Sequence, residues 1–440
     1  MRKERILVMG DKNTEITEIF VDYFKNSETP TSDYKLGVEL EHFIVDEKTL
    51  KAVSYYENDG IEDILEELNK FDWTPVKENG HIIGLNKDDM KITLEPGGQI
   101  EISLVPEKNL DKIQNTYQKF INQIIPVLKD KNRLLVALGY QPVNSIKDIP
   151  LIPKKRYDYM YDYFKDQGEY SHNMMKATAS IHVNIDFSNE IDYIKKYRVA
   201  YFLSPIIYFI FDNSPFFEGK PAYNKSVRSM IWEGCDTGRR DLYNTVFSGN
   251  FGYNEYAKYL LSVPPVLLLK NNNLQYTEDK ILKDLINPDR MTEKEIEYVL
   301  SMVFPDVRTK NYLEIRMGDS LPYPESLGYV VFWKGLMYLE DNLNRLNNQI
   351  QTLDLNSIKN MKKEIMNKGY EADIFGCSLR QYVTKLFQMA EKGLNKNEIK
   401  YLNHVREILN KNQNPKRKIL EDLKSSDKKS VLKWSFINKI

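Results

Sequence analysis

The 440-residue chain has only two cysteines, Cys235 and Cys377, which form neither a disulfide framework nor a zinc pattern, so both are expected to be free thiols. It also lacks an excess of either charge. With 62 Lys and Arg against 63 Asp and Glu, the net charge of −1 gives no electrostatic reason to bind nucleic acid or an anionic membrane. No apolar run reaches the roughly 20 residues of a membrane span. The most apolar run, 199–211, contains Ser204 and Pro205 and is expected to be a buried helix. The charged start has too few apolar residues after it for a secretory segment, so a cytoplasmic location is expected. No Gly-Lys-Ser/Thr phosphate loop and no dinucleotide fingerprint occur, so a bound nucleotide would have to be held by metal and arginine. Internal repeats, low-complexity linkers and long heptad seams are absent too. What is present, 42% hydrophobic and 12% aromatic residues, describes an ordinary globular protein with room for a substantial core.

Apolar residues at Ile16, Ile19, Phe20, Tyr23 and Phe24 predict a helix over 14–27, and PTSDY (30–34) breaks it before the first strand-like segment. A long amphipathic helix is expected over 110–128, with Pro126 as a possible kink, followed by a buried strand over 133–143. The Tyr-, Lys- and Asp-rich stretch 150–175 reads as a surface excursion near a site. Over 270–300 we expect a loop, a short helix, a turn at Asn287–Pro288, and a helix capped by Thr292 with Glu295 three residues on. From about 327 the periodicity is helical to the end. The expected division is a catalytic domain over 1–335 and an α-helical region over 336–440 packed on it.

Four segments alternate polar and apolar residues with the period of a strand. In 37–45, Glu39 and Glu41 share a face opposite Val38, Leu40 and Ile44. In 180–187, Ser180, His182, Asn184 and Asp186 oppose Ile181, Val183, Ile185 and Phe187. In 312–317, Glu314 and Arg316 oppose Leu313, Ile315 and Met317. In LEPGGQIEIS (94–103), Gln99 and Glu101 oppose Ile100 and Ile102, with Glu95 before the Pro-Gly-Gly break. An antiparallel sheet with one wet face produces such alternation without any site. The residue type argues otherwise, because glutamate is disfavoured in strands, and like charges on adjacent strands repel unless they meet cations. Mg²⁺, which takes carboxylate oxygens and bridges them to phosphates, would answer both points. Candidate anion-gripping arginines are Arg316 and, in 226–241, Arg228, Arg239 and Arg240 beside Trp232. Paired carboxylates are also compatible with a glycosidase, and the whole pattern with a non-catalytic metal- or carbohydrate-binding module.

In order along the chain, GVELEHF, ITLEPGGQIEIS, MKATASIHVNIDF, DNSPFFEGK, RSMIWEGCD and FPDVRTKNYLEIRMGD resemble the glutamate–cysteine ligases of the plant and proteobacterial type. The likeness covers about residues 35 to 335. It extends more distantly to carboxylate–amine ligases related to glutamine synthetase. The resemblance implies an α+β fold of the glutamine synthetase/guanido kinase kind: a large, curved, mainly antiparallel sheet with the active site on its concave face, helices outside, and a helical C-terminal region. It implies ATP-dependent joining of the γ-carboxylate of glutamate to the amine of cysteine through a γ-glutamyl phosphate, or the same chemistry with another amine or carboxylate. Two or three Mg²⁺ ions and ATP are implied, with small-molecule substrates and a monomer or homodimer. By position, Glu39, Glu41, Glu95, Glu101, His182 and Glu314 resemble the metal-facing residues. Arg316 and Glu41 resemble the catalytic residues, and Gln99, Asn184, Arg228, Trp232 and Arg239 the glutamate pocket. The plant members usually have Gln where His182 stands, EGCDTGRRD departs from their usual run after Trp232, and their redox cysteines do not match Cys235 or Cys377.

Overall fold

The structure, a computed structural model, describes residues 12–437 except 224–225, 272, 279, 287–290, 352 and 411–412; the expected Asn287–Pro288 turn lies outside the described residues. Its centre is a ten-stranded antiparallel sheet. In chain order its strands are β1 (Leu36–Asp46), β2 (Thr74–Glu78), β3 (His81–Lys87), β4 (Met90–Leu94), β5 (Ile100–Glu107), β6 (Arg133–Val136), β7 (Ser180–Ile185), β8 (Val307–Thr309), β9 (Leu313–Asp319) and β10 (Phe436–Ile437). The spatial order is β8-β9-β7-β1-β5-β4-β3-β2, with β6 on the second half of β1 and β10 beside β6. The expected large antiparallel sheet with helices around it and a helical C-terminal part is therefore what forms.

The four alternating segments are consecutive neighbours, in the order β9-β7-β1-β5. Register then fixes which side chains meet, because residues opposite each other in an antiparallel pair project to the same face. Glu39 faces His182 across β1/β7, Glu41 faces Glu101 across β1/β5, Glu314 faces Asn184 across β9/β7, and Glu314 faces Arg308 across β8/β9. On the opposite face Leu40, Ile102, Val183 and Ile315 are all within 1% of full burial. Each such side chain contributes on the order of 1.5–3 kcal/mol of hydrophobic stabilisation. The polar face is buried as well: Glu314 is fully buried, and His182 and Glu41 are 4% and 7% exposed. A merely solvated sheet face does not bury its carboxylates, since unpaired buried charge is costly.

Helix α1 (Leu110–Asp130) packs on β5 and β6 and carries Pro126 within it; α2 (Glu190–Ile210) packs on β9 and contains the apolar run up to residue 210, with Phe211 as its C-cap. His42, on the apolar face, is a buried core residue rather than part of the polar face: its Nε2 lies 2.9 Å from the Tyr117 hydroxyl of α1, and burial drives its pKa down to about 3. Of the strand expected over 133–143, only Arg133–Val136 forms a ladder. The stretch 150–175 is more than a surface excursion. It forms helices Lys155–Phe164 and Ser171–Ala177, because Tyr157, Met160 and Phe164 recur at helical spacing and bury. The capping box at Thr292 and Glu295 forms as expected. Helix α3 (Val227–Glu233) follows the apolar core of α2, and α4 (Glu325–Met337) runs across the expected 335/336 boundary. Strand β10 returns the end of the chain to the central sheet, where Phe436 pairs with Val136.

Candidate functional site

The polar face is built around His182, whose two ring nitrogens point toward different carboxylates. Nδ1 lies 3.1 Å from Glu39 Oε2; Nε2 lies 2.8 Å from Ser180 Oγ and 3.6 Å from Glu41 Oε1. Glu39, His182 and Glu314 form one group with donor atoms close enough to share a metal ion, and Glu41, Glu101 and His182 form another. Five of the six metal-facing candidates are thus brought together. Glu95, at the turn after β4, stands outside both groups but near enough for its charge to bear on Glu41 and Glu101. Gly37 shares this face, where an added Cβ would lie 2.9 Å from Asn184 Cβ. Its missing side chain is what lets Asn184 Nδ2 reach Glu39 Oε1 at 3.0 Å.

The electrostatics of the two groups differ. Burial raises the Glu314 carboxyl, but Arg308 (2.6 Å), Lys310 (2.8 Å) and Arg316 (2.7 Å) outweigh it and hold it well below the usual carboxylate range. Glu39 is likewise raised by burial yet brought to about 2 by the His182 hydrogen bond and by Lys310. Glu41 goes the other way. Burial, Glu95 and Glu101 push it well above its ordinary value, with Arg228 and Arg316 opposing incompletely, and burial with Glu39 and Glu95 raises Glu101. Burial and Arg316 keep His182 in its neutral form by lowering its pKa. Carboxylates crowded against carboxylates, with a neutral imidazole among them, are a donor set suited to a divalent cation.

At the far end of the face, Arg228 of α3 is buried. Its Nη1 donates to Met317 O (3.1 Å) and Asp319 Oδ1 (3.3 Å), and its Nη2 to Arg316 O (3.3 Å). Arg239 stacks 4.7 Å over the Tyr163 ring, pairs with Asp236 at 2.9 Å and donates to Met302 O. Arg228 Nε, Trp232 Nε1 and Arg239 Nη2 are buried donors without hydrogen-bond acceptors among the described residues. Gln99 is placed differently from the rest. Its Oε1 accepts from the Gly97 N–H, and its Nε2 donates to the Met175 and Thr178 carbonyls, so its amide clamps the LEPGGQ turn onto helix Ser171–Ala177. The turn needs its glycines: Gly98 has φ +87°, and a Cβ on Gly97 would sit 2.2 Å from Lys176 O. Cys235 is buried with its thiol pushed up to about 12, chiefly by burial, which removes it from nucleophilic chemistry.

Three site residues escape the sequence reading. Arg308, on β8, carries the same period-2 signal as the carboxylates, and Lys310 follows it in the turn before β9. Lys154, whose pKa is lowered by burial while Glu95 and Glu101 pull it back, enters the site from the 150–175 stretch and carries no such signal.

A buried sheet face of this composition, rich in carboxylate and arginine, is suited to metal-assisted phosphoryl transfer rather than to covalent catalysis. The family model for glutamate–cysteine ligase family 2 matches residues 35–431, and the chain belongs to that family of ATP-dependent ligases, which use a divalent metal and small-molecule substrates. The match runs well past residue 335, where the sequence likeness had faded. The chain is 31% identical over 399 residues to glutamate–cysteine ligase A, chloroplastic, of Oryza sativa subsp. japonica, covering 89% of this chain and 80% of the relative. With glutamate–cysteine ligase, chloroplastic, of Nicotiana tabacum it shares 31% identity over 418 residues, 92% of this chain and 79% of the relative. The crystal structure of a glutamate–cysteine ligase from Francisella tularensis in complex with AMP has the same fold, with TM-score 0.57 at 14% identity over 91% of this chain and 87% of that one. The expected cytoplasmic location is overturned by these relatives, which are chloroplastic by name. It had rested on the lack of a secretory segment, which says nothing about other compartments. Among the described residues no helix is long and apolar enough to cross a membrane.

Proposed function

We propose that the enzyme phosphorylates the γ-carboxylate of L-glutamate with ATP and transfers the γ-glutamyl group to the amine of L-cysteine, giving γ-glutamylcysteine, ADP and phosphate. The observation that carries the site assignment is the register of β9-β7-β1-β5, which puts the buried Glu314, His182 and Glu41 and the half-buried Glu39 and Glu101 on one face. Glu39 and Glu314, and Glu41 and Glu101, would hold two Mg²⁺ ions, with His182 as a shared polar neighbour and Glu95 available for a third. Bound there, Mg²⁺ supplies neutralisation of the ATP phosphates and of the attacked carboxylate.

The protein's own groups do the remainder. Arg316, released from Glu314 toward the transferred phosphoryl group, stabilises the charge that spreads over its oxygens. Glu41, receiving the Ser180 N–H at 2.7 Å, keeps one carboxylate oxygen fixed at the centre of the face. Arg228, Trp232 and Arg239 present buried donors to the α-carboxylate of glutamate, and Asn184 supplies a polar contact. We assign Gln99 to shaping this pocket from behind, since backbone groups already occupy both ends of its amide. The acyl phosphate then needs only a positioned amine, because no protein nucleophile is required. The assembly we propose is a monomer or homodimer, read by light scattering.

The decisive assay is phosphate release from ATP across amino-acid pairs, with the product identified by mass. Release that needs glutamate, cysteine and Mg²⁺ together is expected. Release with another amine but not with cysteine would overturn the assigned acceptor.

A further inference from the structure

Behind Arg228 lies a line of buried charge that reaches the C-terminal segment. Arg228 meets Asp319 at 3.3 Å; the other oxygen of Asp319 accepts the Asn213 N–H at 2.7 Å and the Ser214 hydroxyl at 2.6 Å. Ser214 N–H donates to Asp212 Oδ1 at 3.1 Å, and Asp212 Oδ2 lies 3.3 Å from Lys416 Nζ. Lys416 is fixed in turn by its own N–H, which donates to Asp212 O at 2.9 Å, and by the neighbouring Asn414, whose Nδ2 donates to Phe209 O at 2.8 Å. All four charged groups are at most 5% exposed. The sequence carries no hint of this line, since Lys416 is more than 180 residues from Arg228.

We infer that Lys416 is a positioning residue for the glutamate pocket, balancing Asp212 so that Arg228 is shared between Asp319 and the substrate carboxylate rather than drawn onto two protein carboxylates. The inference rests on the proposed role of Arg228 in binding glutamate. The reasoning is one of charge count. In order the line reads Arg228, Asp319, Asp212, Lys416, and in a low-dielectric interior each carboxylate that ionises needs one cationic partner. Asp212 and Asp319 already strain against each other: burial, opposed by Lys416, raises the Asp212 carboxyl, and Asp319 pushes it the same way. Without Lys416, Arg228 becomes the only cation in the line for both.

The test uses the full-length enzyme and separates binding of the two substrates. Lys416→Met is expected to raise the KM for glutamate about ten-fold, the size of coupling seen within one charged network, while the KM for ATP stays within about two-fold. Lys416→Arg should behave as wild type. The double variant Asp212→Asn/Lys416→Met removes one charge of each sign and should return the glutamate KM toward wild type. An unchanged glutamate KM in Lys416→Met, or a double variant as impaired as the single, would overturn the inference and leave only a packing role. If Lys416→Met does not fold, Asp212→Asn reads the same coupling with opposite sign: Arg228 is less committed and the glutamate KM falls, and an unchanged KM sinks the proposal. Arg228→Ala with a normal glutamate KM would instead overturn the pocket assignment beneath it.

Discussion

Glu314 and Glu41 stand on one face of one sheet, two strands apart, and both are buried. Glu314 is surrounded by Arg308, Lys310 and Arg316, so its negative charge is matched within the protein and its pKa is depressed. Glu41 is surrounded by Glu95 and Glu101, and the opposing arginines do not reach parity, so its pKa is raised. Residue type is the same; the neighbours differ. One half of the face is neutralised by the polypeptide, and the other keeps unmatched carboxylates, to which we assign bound Mg²⁺. A cluster of positive charge beside a cluster of unmatched negative charge complements a metal–phosphate substrate, whose own charges are of both signs.

That contrast can be broken from either side. Glu314→Gln should be the most damaging change, leaving the buried Arg308 and the half-buried Lys310 and Arg316 around a neutral amide; removing one partner of such a buried pair costs about 3–5 kcal/mol, measurable by urea unfolding of the metal-free enzyme. Arg316→Ala should leave substrate binding nearly intact and lower kcat by about 10²–10³-fold, the usual loss for one preorganised charge-stabilising donor. A fall in KM affinity without loss of kcat would place Arg316 outside the reaction.

Glu41→Gln sharpens the comparison because its two effects have opposite signs. The Mg²⁺ concentration for half-maximal activity should rise at least about 10–100-fold, while the metal-free protein becomes more stable near neutral pH. The pH dependence follows from the direction of the shifts. For Glu41 and Glu101 the folded-state pKa is raised, so their contribution is favourable below the ordinary value of 4.5 and is lost as pH rises through the folded value. For Glu39 the folded pKa is about 2, so its contribution is present above 4.5 and is lost as pH falls from there toward 2. Metal-free thermal unfolding followed against pH should therefore decline toward neutrality in wild type and decline less in Glu41→Gln. The smallest effect is expected from Gly37→Ala, whose Cβ would crowd Asn184; overpacking of this kind costs about 1–3 kcal/mol, and a lost Asn184–Glu39 contact should show as a modest rise in the glutamate KM.

The alternation in β1, β5, β7 and β9 was legible from the sequence because a strand turns its side chains over every residue, so period alone sorts polar from apolar faces. It located Glu39, Glu41, Glu101, His182 and Glu314 together without naming their partners. The same rule, applied one strand earlier, reaches Arg308, whereas Lys310 lies in the turn between β8 and β9 and owes its place beside Glu314 to that turn. Gln99 shows where the rule stops. Period places it on the Glu101 face, yet the tight Gly97–Gly98 turn curls its amide into backbone carbonyls, and turn geometry is set by φ and by what packs against it. The Tyr-rich 150–175 stretch misled through composition, since tyrosine serves a surface and a core equally well.

By itself, then, the sequence determined the secondary-structure periods, the chemical character of each face and, through ordered motifs, the family. Tertiary structure alone decided which carboxylates are neutralised, whether the polar face is wet or buried, and that Lys416 stands behind Arg228. The physical reason is that charge and burial depend on distance in space, and strand order, register and the return of the C-terminal segment bring together residues whose separation in sequence carries no trace of it.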